Sequence, residues 1–467
     1  MFLLTAGATL RFHALDRQSL WDDEMSTRKD MSMPLSAWPQ RFRTFETHPP
    51  LYFLQLRLWQ KVTGSSLTAL RANSALWGSI NLALIFFLMR RYQGTAGGLA
   101  AMALLACSPY HLAYSQEMRS YTFAITLGLL GFLVLENCLT PTPLPMGEGS
   151  AKHGVRLRWI VLTLVFSAEL YTHYWGSFVV AAQLLYGWVQ VSGREQKRGV
   201  LTSGSVAAGL FGFWLPFLWS QMHLIGAMSF WVPPASPANL AKTLVAFTGL
   251  FFNHASYFFR APGPLAFLIV VGLATFILAA LGVKKEPRAA VIWLSVGLGI
   301  PYILSYEVHG LYIWYRYPIL MYPAFLMLVT SGLCAIPSRF IRWGMFGLLV
   351  VSASWSCKKY LTSWQKANPK AVVAYVQELK QPGTVVIRPA YFSELFAFYD
   401  QGPTVVVDED KLSSPENRAA LKGKNVVFLA FDAPDPIGIA LLSQFSVVSA
   451  RYFPGYAHLG ITVNQLN

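Results

Sequence analysis

The stretch Ala69–Met89 reads ALRANSALWGSINLALIFFLM and is followed directly by Arg90 and Arg91. A run of about 20 mainly apolar residues is long enough to cross the hydrocarbon core of a bilayer as a helix. Paired arginines after such a run are typical of a cytoplasmic loop, because these loops carry an excess of Lys and Arg. This stretch therefore predicts a membrane-spanning helix that ends inside the cell.

Comparable apolar runs recur along the chain, and short basic loops separate alternate pairs of them. The further predicted spans are Ala96–Tyr110, Tyr121–Leu139, Trp159–Tyr171, Trp175–Val191, Val200–Trp219, Pro264–Val283, Ala290–Ser305, Ile319–Ile336 and Trp343–Cys357. Met1–Leu15 is apolar but short, and we expect it to be a first span whose start is missing or trimmed. The pattern predicts a polytopic α-helical membrane protein of about eleven spans, with its N-terminus inside and its C-terminus outside.

The charge of the chain supports this topology. Its 467 residues include 37 Lys and Arg against 22 Asp and Glu, a net charge of +15, yet only 13% of the residues are charged and 54% are hydrophobic. Soluble domains carry about 25% charged residues, so the composition argues against an ordinary cytosolic enzyme. The basic residues concentrate in alternate loops, so the charge sets orientation and does not indicate a nucleic-acid partner.

The last part of the chain has a different character. Its predicted strands are Thr384–Arg388, Thr404–Val407, Asn425–Ala430 and Gly460–Val463, and its predicted helices are Ser393–Tyr399 and Ser414–Leu421. We therefore expect a membrane domain over residues 1–357, with a long first outer loop at 16–66, and a small extracytoplasmic α/β domain over 358–467. The Pro- and Gly-rich stretch Pro141–Ser150 predicts a disordered insert.

The first outer loop carries two polar motifs. Ser19–Glu24 (SLWDDE) places three carboxylates just beyond a predicted span. A charge there is energetically unfavourable unless it is solvated, forms an ion pair or takes part in function. One interpretation is a helix start, since acidic residues favour the first turn, and the other is a catalytic site. Further on, Pro49 and Pro50 could start a helix at Leu51 and place His48 at its positive end.

The other outer links also hold charged residues among aromatic ones. Glu117 and Arg119 lie at a membrane boundary, where pairing or snorkelling is the simpler interpretation. Arg316 in WYRYP opposes the positive-inside trend, and its guanidinium suits an anionic lipid headgroup because arginine binds phosphate bidentately. His173 lies among interfacial aromatic residues, whose presence an aromatic belt explains without explaining the histidine.

Six motifs occur in order: SLWDDE, HPPLYF, LRANSALWG, SPYHLAYSQEMRSY, YTHYW and WYRYP. This set resembles the bacterial branch of the dolichyl-phosphate-mannose protein mannosyltransferase superfamily. These are membrane glycosyltransferases of the GT-C fold, similar to family 39 and to the lipid A aminoarabinose transferases. The resemblance covers roughly the first 330 residues. A small extracytoplasmic α/β tail is also common in that family.

The resemblance implies an inverting transfer from a polyprenyl-phosphate-linked sugar to an acceptor on the outer face, which is a lipid, a glycan or a protein. Asp23 and Glu24 match the family's catalytic acidic pair, and we prefer Asp23 as the base. Arg119 and Arg316 are the candidates for binding the donor phosphate. The other candidate substrate-binding residues are Asp22, His48, Tyr114, Glu117, His173 and Tyr315.

The sequence is also compatible with two other functions and with one bound cation. A lipid-linked saccharide transporter or flippase would fit the same membrane topology, and an O-antigen-type polymerase or ligase would keep the chemistry with a pyrophosphate-linked donor. The cysteines show no metal-ligand spacing and no metal ligands are predicted, although a divalent cation could bind the acidic run at Asp22–Glu24. The expected location is a bacterial inner membrane, with the catalytic loop and the C-terminal domain extracytoplasmic.

Overall fold

The computed structural model describes the chain except for residues 140–147, 229–235, 255–256, 286–287, 309, 364–367, 390–391, 401, 403, 432–438, 440–441, 444, 454–460 and 467. Most of the predicted insert Pro141–Ser150 lies outside the described residues. The chain divides into two compact units. The first comprises Met1–Leu15, Asp30–Phe252 and Phe259–Thr362, and the second comprises Asp16–Lys29, Asn253–Phe258 and Ser363–Asn467.

The first unit is built almost entirely from helices. They are α1 (Phe2–Phe12), α3 (Trp38–Thr44), α4 (Leu51–Thr63), α5 (Leu67–Ala106), α6 (Pro109–Ser115), α7 (Tyr121–Leu139), α8 (Glu148–Leu170), α9 (Gly176–Gln190), α10 (Arg194–Gly212), α11 (Leu215–Met228), α12 (Pro237–Phe247), α13 (Leu265–Lys285), α14 (Arg288–Leu304), α15 (Tyr322–Ala335) and α16 (Arg339–Thr362). Short 3-10 helices lie at Leu35–Ala37 and Tyr317–Met321. Helix α2 (Asp22–Ser32) and the hairpin of β1 (Phe251–His254) and β2 (Tyr257–Arg260) carry residues of both units.

Five helices in the described part of the chain are long and apolar enough to cross a membrane. They are Leu67–Ala106, Tyr121–Leu139, Leu265–Lys284, Tyr317–Ala335 and Arg339–Thr362. The pair α10 and α11, bent by 69°, passes the same test if it is counted as one span, whereas α1 and α14 are apolar but shorter. The total of about eleven spans stays a prediction.

Helix α5 contains the two predicted spans Ala69–Met89 and Ala96–Tyr110, apart from the last few residues of the second. Its backbone leaves helical geometry at Gly94, where φ is 69° and ψ is −174°. A Cβ added to Gly98 would lie 2.7 Å from the carbonyl oxygen of Phe86. In a straight helix these two residues would be about 18 Å apart along the axis. The two halves therefore fold back on each other as a hairpin.

Helices α13 and α15 meet through two glycines. A Cβ on Gly282 would lie 1.9 Å from the carbonyl oxygen of Leu328, and a Cβ on Gly332 would lie 1.8 Å from that of Leu278. Small residues allow helices to pack this closely in a membrane, where van der Waals contact largely drives their association. The most apolar window of Tyr317–Ala335 is 89% buried, against 33% for that of Leu265–Lys284. Helix α15 therefore lies inside the first unit.

Arg11 shows how the first unit accommodates a buried cation. Its guanidinium donates hydrogen bonds to the carbonyl oxygens of Gly7 at 2.8 Å and Leu105 at 3.0 Å, and it lies 2.9 Å from Nδ1 of His111. Leu105 is in the last turn of α5, where free carbonyl groups and the helix dipole favour a positive charge. This arginine therefore has a structural role.

The second unit contains a five-stranded sheet in the order β4-β3-β5-β7-β6. Its elements are α17 (Pro369–Leu379), β3 (Val385–Arg388), α18 (Ser393–Tyr399), β4 (Val405–Asp408), α19 (Pro415–Ala419), β5 (Val426–Phe431), β6 (Val447–Phe453) and β7 (Ile461–Leu466). Strand β3 runs parallel to β4 and β5, and β7 runs antiparallel to β5 and β6. Apolar residues of β3, β5 and β7 form the core of this domain with Leu412 and Leu421.

Strands lie at the four predicted positions and helices at the two predicted ones, although α19 is shorter than expected. Strand β6 is absent from the prediction. Most of its side chains are exposed, so its sequence lacks the alternation of apolar and polar residues that marks a half-buried strand.

Candidate functional site

The site is built around the segment that precedes α4. This helix begins at Leu51, as the two prolines before it predict. Oε1 of Glu46 accepts hydrogen bonds from the backbone N–H groups of Thr47 and His48, both at 2.9 Å, and from Nδ1 of His48 at 2.7 Å. The carboxylate therefore fixes the bend of the chain and the orientation of the His48 ring.

The opposite nitrogen of His48 faces Arg119. Nη2 of Arg119 lies 3.4 Å from Nε2 of His48. A guanidinium can only donate hydrogen bonds, so Nε2 accepts and the ring carries its proton at Nδ1, towards Glu46. Arg119 is 7% exposed, and its carbonyl oxygen accepts a hydrogen bond from the Ser74 hydroxyl at 3.3 Å. Glu46, His48 and Arg119 thus form one buried polar group.

His173 adds an unsatisfied donor to this group. Its ring centroid lies 5.3 Å from that of His48, and its Nδ1 accepts a hydrogen bond from the backbone N–H of Trp175 at 3.1 Å. Burial, followed by electrostatic interactions with His48 and Arg119, lowers the pKa of His173 well below its usual value, so the ring is neutral with its proton on Nε2. This nitrogen has no hydrogen-bond partner among the described residues. A buried N–H of this kind can bind an anion or a hydroxyl of a ligand.

Aromatic rings connect His173 to the link that carries Arg316. The ring of Tyr121 lies 5.7 Å from that of His173 and 4.7 Å from that of Tyr114. The hydroxyl of Tyr114 donates to the carbonyl oxygen of Tyr315 at 2.7 Å. The guanidinium of Arg316 lies 5.6 Å from the ring centroid of Tyr315. A continuous set of contacts therefore joins the predicted residues on three separate links.

Glu117 and Arg316, two charged residues predicted for the site, lie near the Tyr114 hydroxyl. Burial raises the pKa of Tyr114, neighbouring tyrosines and Glu117 raise it further, and Arg316 opposes them. Glu117 is 1% exposed and its carbonyl oxygen accepts the backbone N–H of Arg119 at 2.8 Å. The structure thus brings Glu117 and Arg316 towards one aromatic side chain.

A second buried carboxyl lies next to Glu46. Asp30 is 1% exposed, and Nε of Arg41 donates to its Oδ1. Burial, then a hydrogen bond to Glu46 and the charge of Glu46, raise the pKa of Asp30, Arg41 lowers it, and the net result is a pKa of about 7. Asp30 is therefore partly protonated near neutral pH. Glu46 and Asp30 are missing from the predicted site, and the one signal for Glu46 is an acidic residue two positions before His48.

The three acidic residues of the first outer loop are part of the second unit. Asp22, Asp23 and Glu24 form the first turn of α2, as the helix-start interpretation expects. Asp22 is exposed, Asp23 is half-buried and Glu24 is buried. These residues belong to the second unit, whereas the residues grouped around His48 belong to the first. Nowhere in the described ranges do three or more His, Cys, Asp or Glu side chains form a group that could hold a metal ion.

The motif LRANSALWG has a structural role. Asn73 and Gln55 exchange hydrogen bonds at 2.8 and 3.1 Å, and Nη1 of Arg71 donates to the carbonyl oxygen of Leu15 at 2.7 Å. The hydroxyl of Ser74 reaches the backbone of Arg119, as described above. This motif therefore holds α1, α4 and α5 in the arrangement that positions Arg119.

Part of the chain matches a known protein family. Residues 47–219 match the family model described as dolichyl-phosphate-mannose-protein mannosyltransferase. The curated proteins gave no match to the chain.

Among solved structures, the chain is similar to ArnT from Cupriavidus metallidurans bound to undecaprenyl phosphate. The TM-score is 0.57 at 11% identity, over 99% of this chain and 97% of that chain. The apo state of the same protein gives a TM-score of 0.56 over the same shares. The Archaeoglobus fulgidus oligosaccharyltransferase in its apo form gives 0.50 at 10% identity, over 92% of this chain and 69% of that chain.

These findings confirm the resemblance that the six motifs indicate. His48, Arg119 and His173 all lie within the matched segment 47–219. The chain has the GT-C fold of ArnT, and its residues 47–219 carry the sequence pattern of the mannosyltransferase family.

Proposed function

We propose that the chain is an integral-membrane glycosyltransferase that moves a sugar from a polyprenyl-phosphate-linked donor to an acceptor on the extracytoplasmic face. The observation that carries this proposal is the buried group of Arg119, His48 and His173, which combines a cation with an unsatisfied neutral N–H. Arginine binds phosphate through two parallel hydrogen bonds, and burial strengthens such contacts. The similarity to a protein crystallised with undecaprenyl phosphate supports the same class of lipid.

Asp23 is the proposed base of the reaction. Its carboxylate takes the proton of the acceptor hydroxyl while the hydroxyl oxygen bonds to the anomeric carbon. The bond from that carbon to the phosphate oxygen breaks, and the electron pair leaves with the polyprenyl phosphate. Attack opposite to the leaving phosphate inverts the configuration. Asp23 is half-buried whereas Glu24 is fully buried, which favours Asp23 as the group that an acceptor can reach.

The remaining residues bind the donor. Arg119 and Arg316 neutralise the charge that develops on the departing phosphate. His173 donates its Nε2–H, which has no partner in the described part of the chain, to a phosphate oxygen or a sugar hydroxyl, and Glu46 holds His48 beside it. The other residues proposed to contact substrate are Asp22, Tyr114, Glu117 and Tyr315.

The orientation in the membrane follows from the charges of the loops. We place the basic loops in the cytoplasm and the first outer loop and the α/β domain on the extracytoplasmic side of a bacterial inner membrane. The proposed domains are the membrane domain over 1–357 and the α/β domain over 358–467. A divalent cation at Asp22–Glu24 is compatible with the acidic side chains of this turn and is required by no step above.

The substitution Asp23→Asn tests the assignment. The purified chain in proteoliposomes would be given a panel of polyprenyl-phosphate monosaccharides, and the release of polyprenyl phosphate would be measured. We expect a loss of about 10²- to 10⁴-fold, because general base catalysis contributes that much. Membrane insertion and melting temperature should stay unchanged.

The matched control is Asp16→Asn, which removes an exposed carboxylate from the same loop. Turnover of Asp23→Asn at the wild-type rate would overturn its role as base. Movement of lipid-linked sugar across the bilayer without glycosylation of any acceptor would identify a transporter instead.

The substrates can be named in the cell. In a strain that lacks the chain, mass spectrometry should find one polyprenyl-phosphate monosaccharide that accumulates and one surface glycan, lipid or protein that loses the same sugar. Unchanged lipid-linked sugars and unchanged surface glycans would contradict the proposal.

A further inference from the structure

Helix α18 holds the acidic segment of the second unit from both sides. The hydroxyl oxygen of Tyr399 accepts the backbone N–H of Leu20 at 2.8 Å, two residues before Asp22. After the acidic turn, Glu394 pairs with Lys29, and the guanidinium of Arg28 lies 4.6 Å from the ring centroid of Phe398. One seven-residue helix thus contacts the chain both before and after the three carboxylates.

Two more hydrogen bonds strengthen the first of these contacts. The hydroxyl of Ser19 donates to Oδ1 of Asn368 at 3.1 Å, and the amide of Gln18 donates to the carbonyl oxygen of Ser363 at 3.1 Å. Asn368 also accepts the N–H of Ala371 at 3.1 Å and so caps α17. Ser19 and Leu20, shortly before the acidic turn, are therefore tied to the start of α17 and to α18 respectively.

The contacts before the acidic turn contribute more to stability than those after it. Leu20 is fully buried and Ser19 is 2% exposed, so a missing hydrogen bond there would leave polar groups unpaired away from water. Lys29 and Glu394 are 45% and 50% exposed, and exposed ion pairs contribute little. The contact between Leu20 and Tyr399 is therefore the one to test.

We propose that the α/β domain positions the acidic turn for sugar transfer, with Tyr399 and Asn368 as positioning residues. This inference rests on the proposed function, in which Asp23 is the base. A general base acts only when it is held within a fraction of an ångström of the proton that it removes. The hydroxyl of Tyr399 fixes the backbone immediately before the turn that carries Asp23.

The test compares the full-length wild type with Tyr399→Phe in lipid nanodiscs. The matched control is Tyr375→Phe, which removes a hydroxyl from α17 of the same domain. Hydrogen exchange at the Leu20 amide should become about three- to tenfold faster in Tyr399→Phe, because one buried hydrogen bond is lost. Exchange in β3 and β5 should be the same as in the wild type. The control Tyr375→Phe should leave exchange at the Leu20 amide unchanged.

Activity gives an independent readout. In Tyr399→Phe, kcat for transfer should fall about three- to tenfold while KM for the lipid donor stays the same, because the phosphate-binding residues are untouched. Ser19→Ala removes a neighbouring hydrogen bond from the loop side and should give the same pattern if Tyr399→Phe fails to fold.

Each outcome has a defined meaning. Unchanged exchange at Leu20, or faster exchange throughout β3 and β5, would overturn the positioning role. Faster exchange confined to residues 16–29 with a lower kcat would support it. If Tyr399→Phe shows the same local exchange effect but the wild type transfers no sugar, the contact is upheld and the proposed function is overturned.

Discussion

Two clusters of buried charged residues in the first unit differ in how completely their polar atoms are satisfied. Glu136, 6% exposed, accepts hydrogen bonds from the hydroxyls of Tyr92 and Tyr186 and pairs with Arg91 at 3.1 Å. Arg91 also donates to Oδ1 of Asn137 at 2.8 Å. In the group of Glu46, His48, Arg119 and His173, by contrast, Nε2 of His173 has no partner in the described part of the chain.

This difference separates a structural cluster from a binding site. A closed network leaves no donor for a ligand, whereas an open one retains a buried group that a ligand can satisfy. Glu169 lies one turn before His173, and its carboxyl oxygens also lack a partner among the described residues. Unsatisfied polar atoms thus accumulate where α8 meets α9, and not at Glu136.

Among the variants that test this difference between the two clusters, Arg119→Met should have the largest effect. Removing the cation should lower kcat for transfer by about 10²- to 10³-fold, because it stabilises charge on the departing phosphate. The melting temperature should change little. The rate would be measured in proteoliposomes, with Arg17→Met, an exposed arginine of the first outer loop, as the control. A variant that retains most of its activity would remove Arg119 from the site.

Unlike Arg119→Met, Glu136→Ala should lower stability and leave activity nearly unchanged. It leaves Arg91 and two tyrosine hydroxyls without their acceptor, so we expect a loss of about 2–3 kcal/mol in stability and a lower melting temperature in detergent. The activity of each folded molecule should stay near that of the wild type. Glu195→Ala, in an exposed position, serves as the control. A specific loss of kcat would mean that the closed cluster also takes part in function.

His173→Gln should alter the pH dependence of stability. The folded-state pKa of His173 is lowered by burial, His48 and Arg119, so the unfolded chain binds the proton more readily. This residue therefore destabilises the wild type as the pH falls below about 6.5, by up to about 2 kcal/mol at pH 5.

Melting temperatures at pH 7 and pH 5 check this sign. The melting temperature should fall less between pH 7 and pH 5 in His173→Gln than in the wild type. In His223→Gln, at an exposed position, it should fall as much as in the wild type. Equal decreases in wild type and His173→Gln would show that His173 is not held in a neutral, buried state.

The smallest effect is expected for Glu46→Gln. The amide oxygen can still accept the backbone N–H groups, but the charge-assisted bond to His48 is lost, so kcat/KM should fall about tenfold. Steady-state kinetics with the lipid donor would measure it, with Glu416→Gln in the α/β domain as the control. An unchanged kcat/KM would mean that His48 needs no carboxylate to keep its orientation.

The helices and the start of α4 could be predicted because they depend on local signals. Apolar runs long enough to span a bilayer and the prolines before Leu51 both act on their own neighbourhood. The strands of the α/β domain follow from their β-branched residues in the same way. The edge strand β6 does not, because little of it is buried.

The candidate site could be predicted only in part, because its residues meet through tertiary contacts. The motifs pointed to His48, Arg119 and His173 separately, and the structure places them together. Asp30 and Glu46 are common acidic residues in a polar loop. The spacing of Glu46 two positions before His48 is a weak signal for its contact with His48, and nothing in the sequence indicates the raised pKa of Asp30.

The glycine contact between α13 and α15 has a consequence for the opposite end of α15. Because the backbones touch at Gly282 and Gly332, neither helix can slide by one residue without placing a Cβ against a carbonyl group. The 3-10 helix Tyr317–Met321 leads directly from Arg316 into α15. Two glycines within the apolar interior therefore fix the position of Arg316 along α13, although neither glycine lies near it in the sequence.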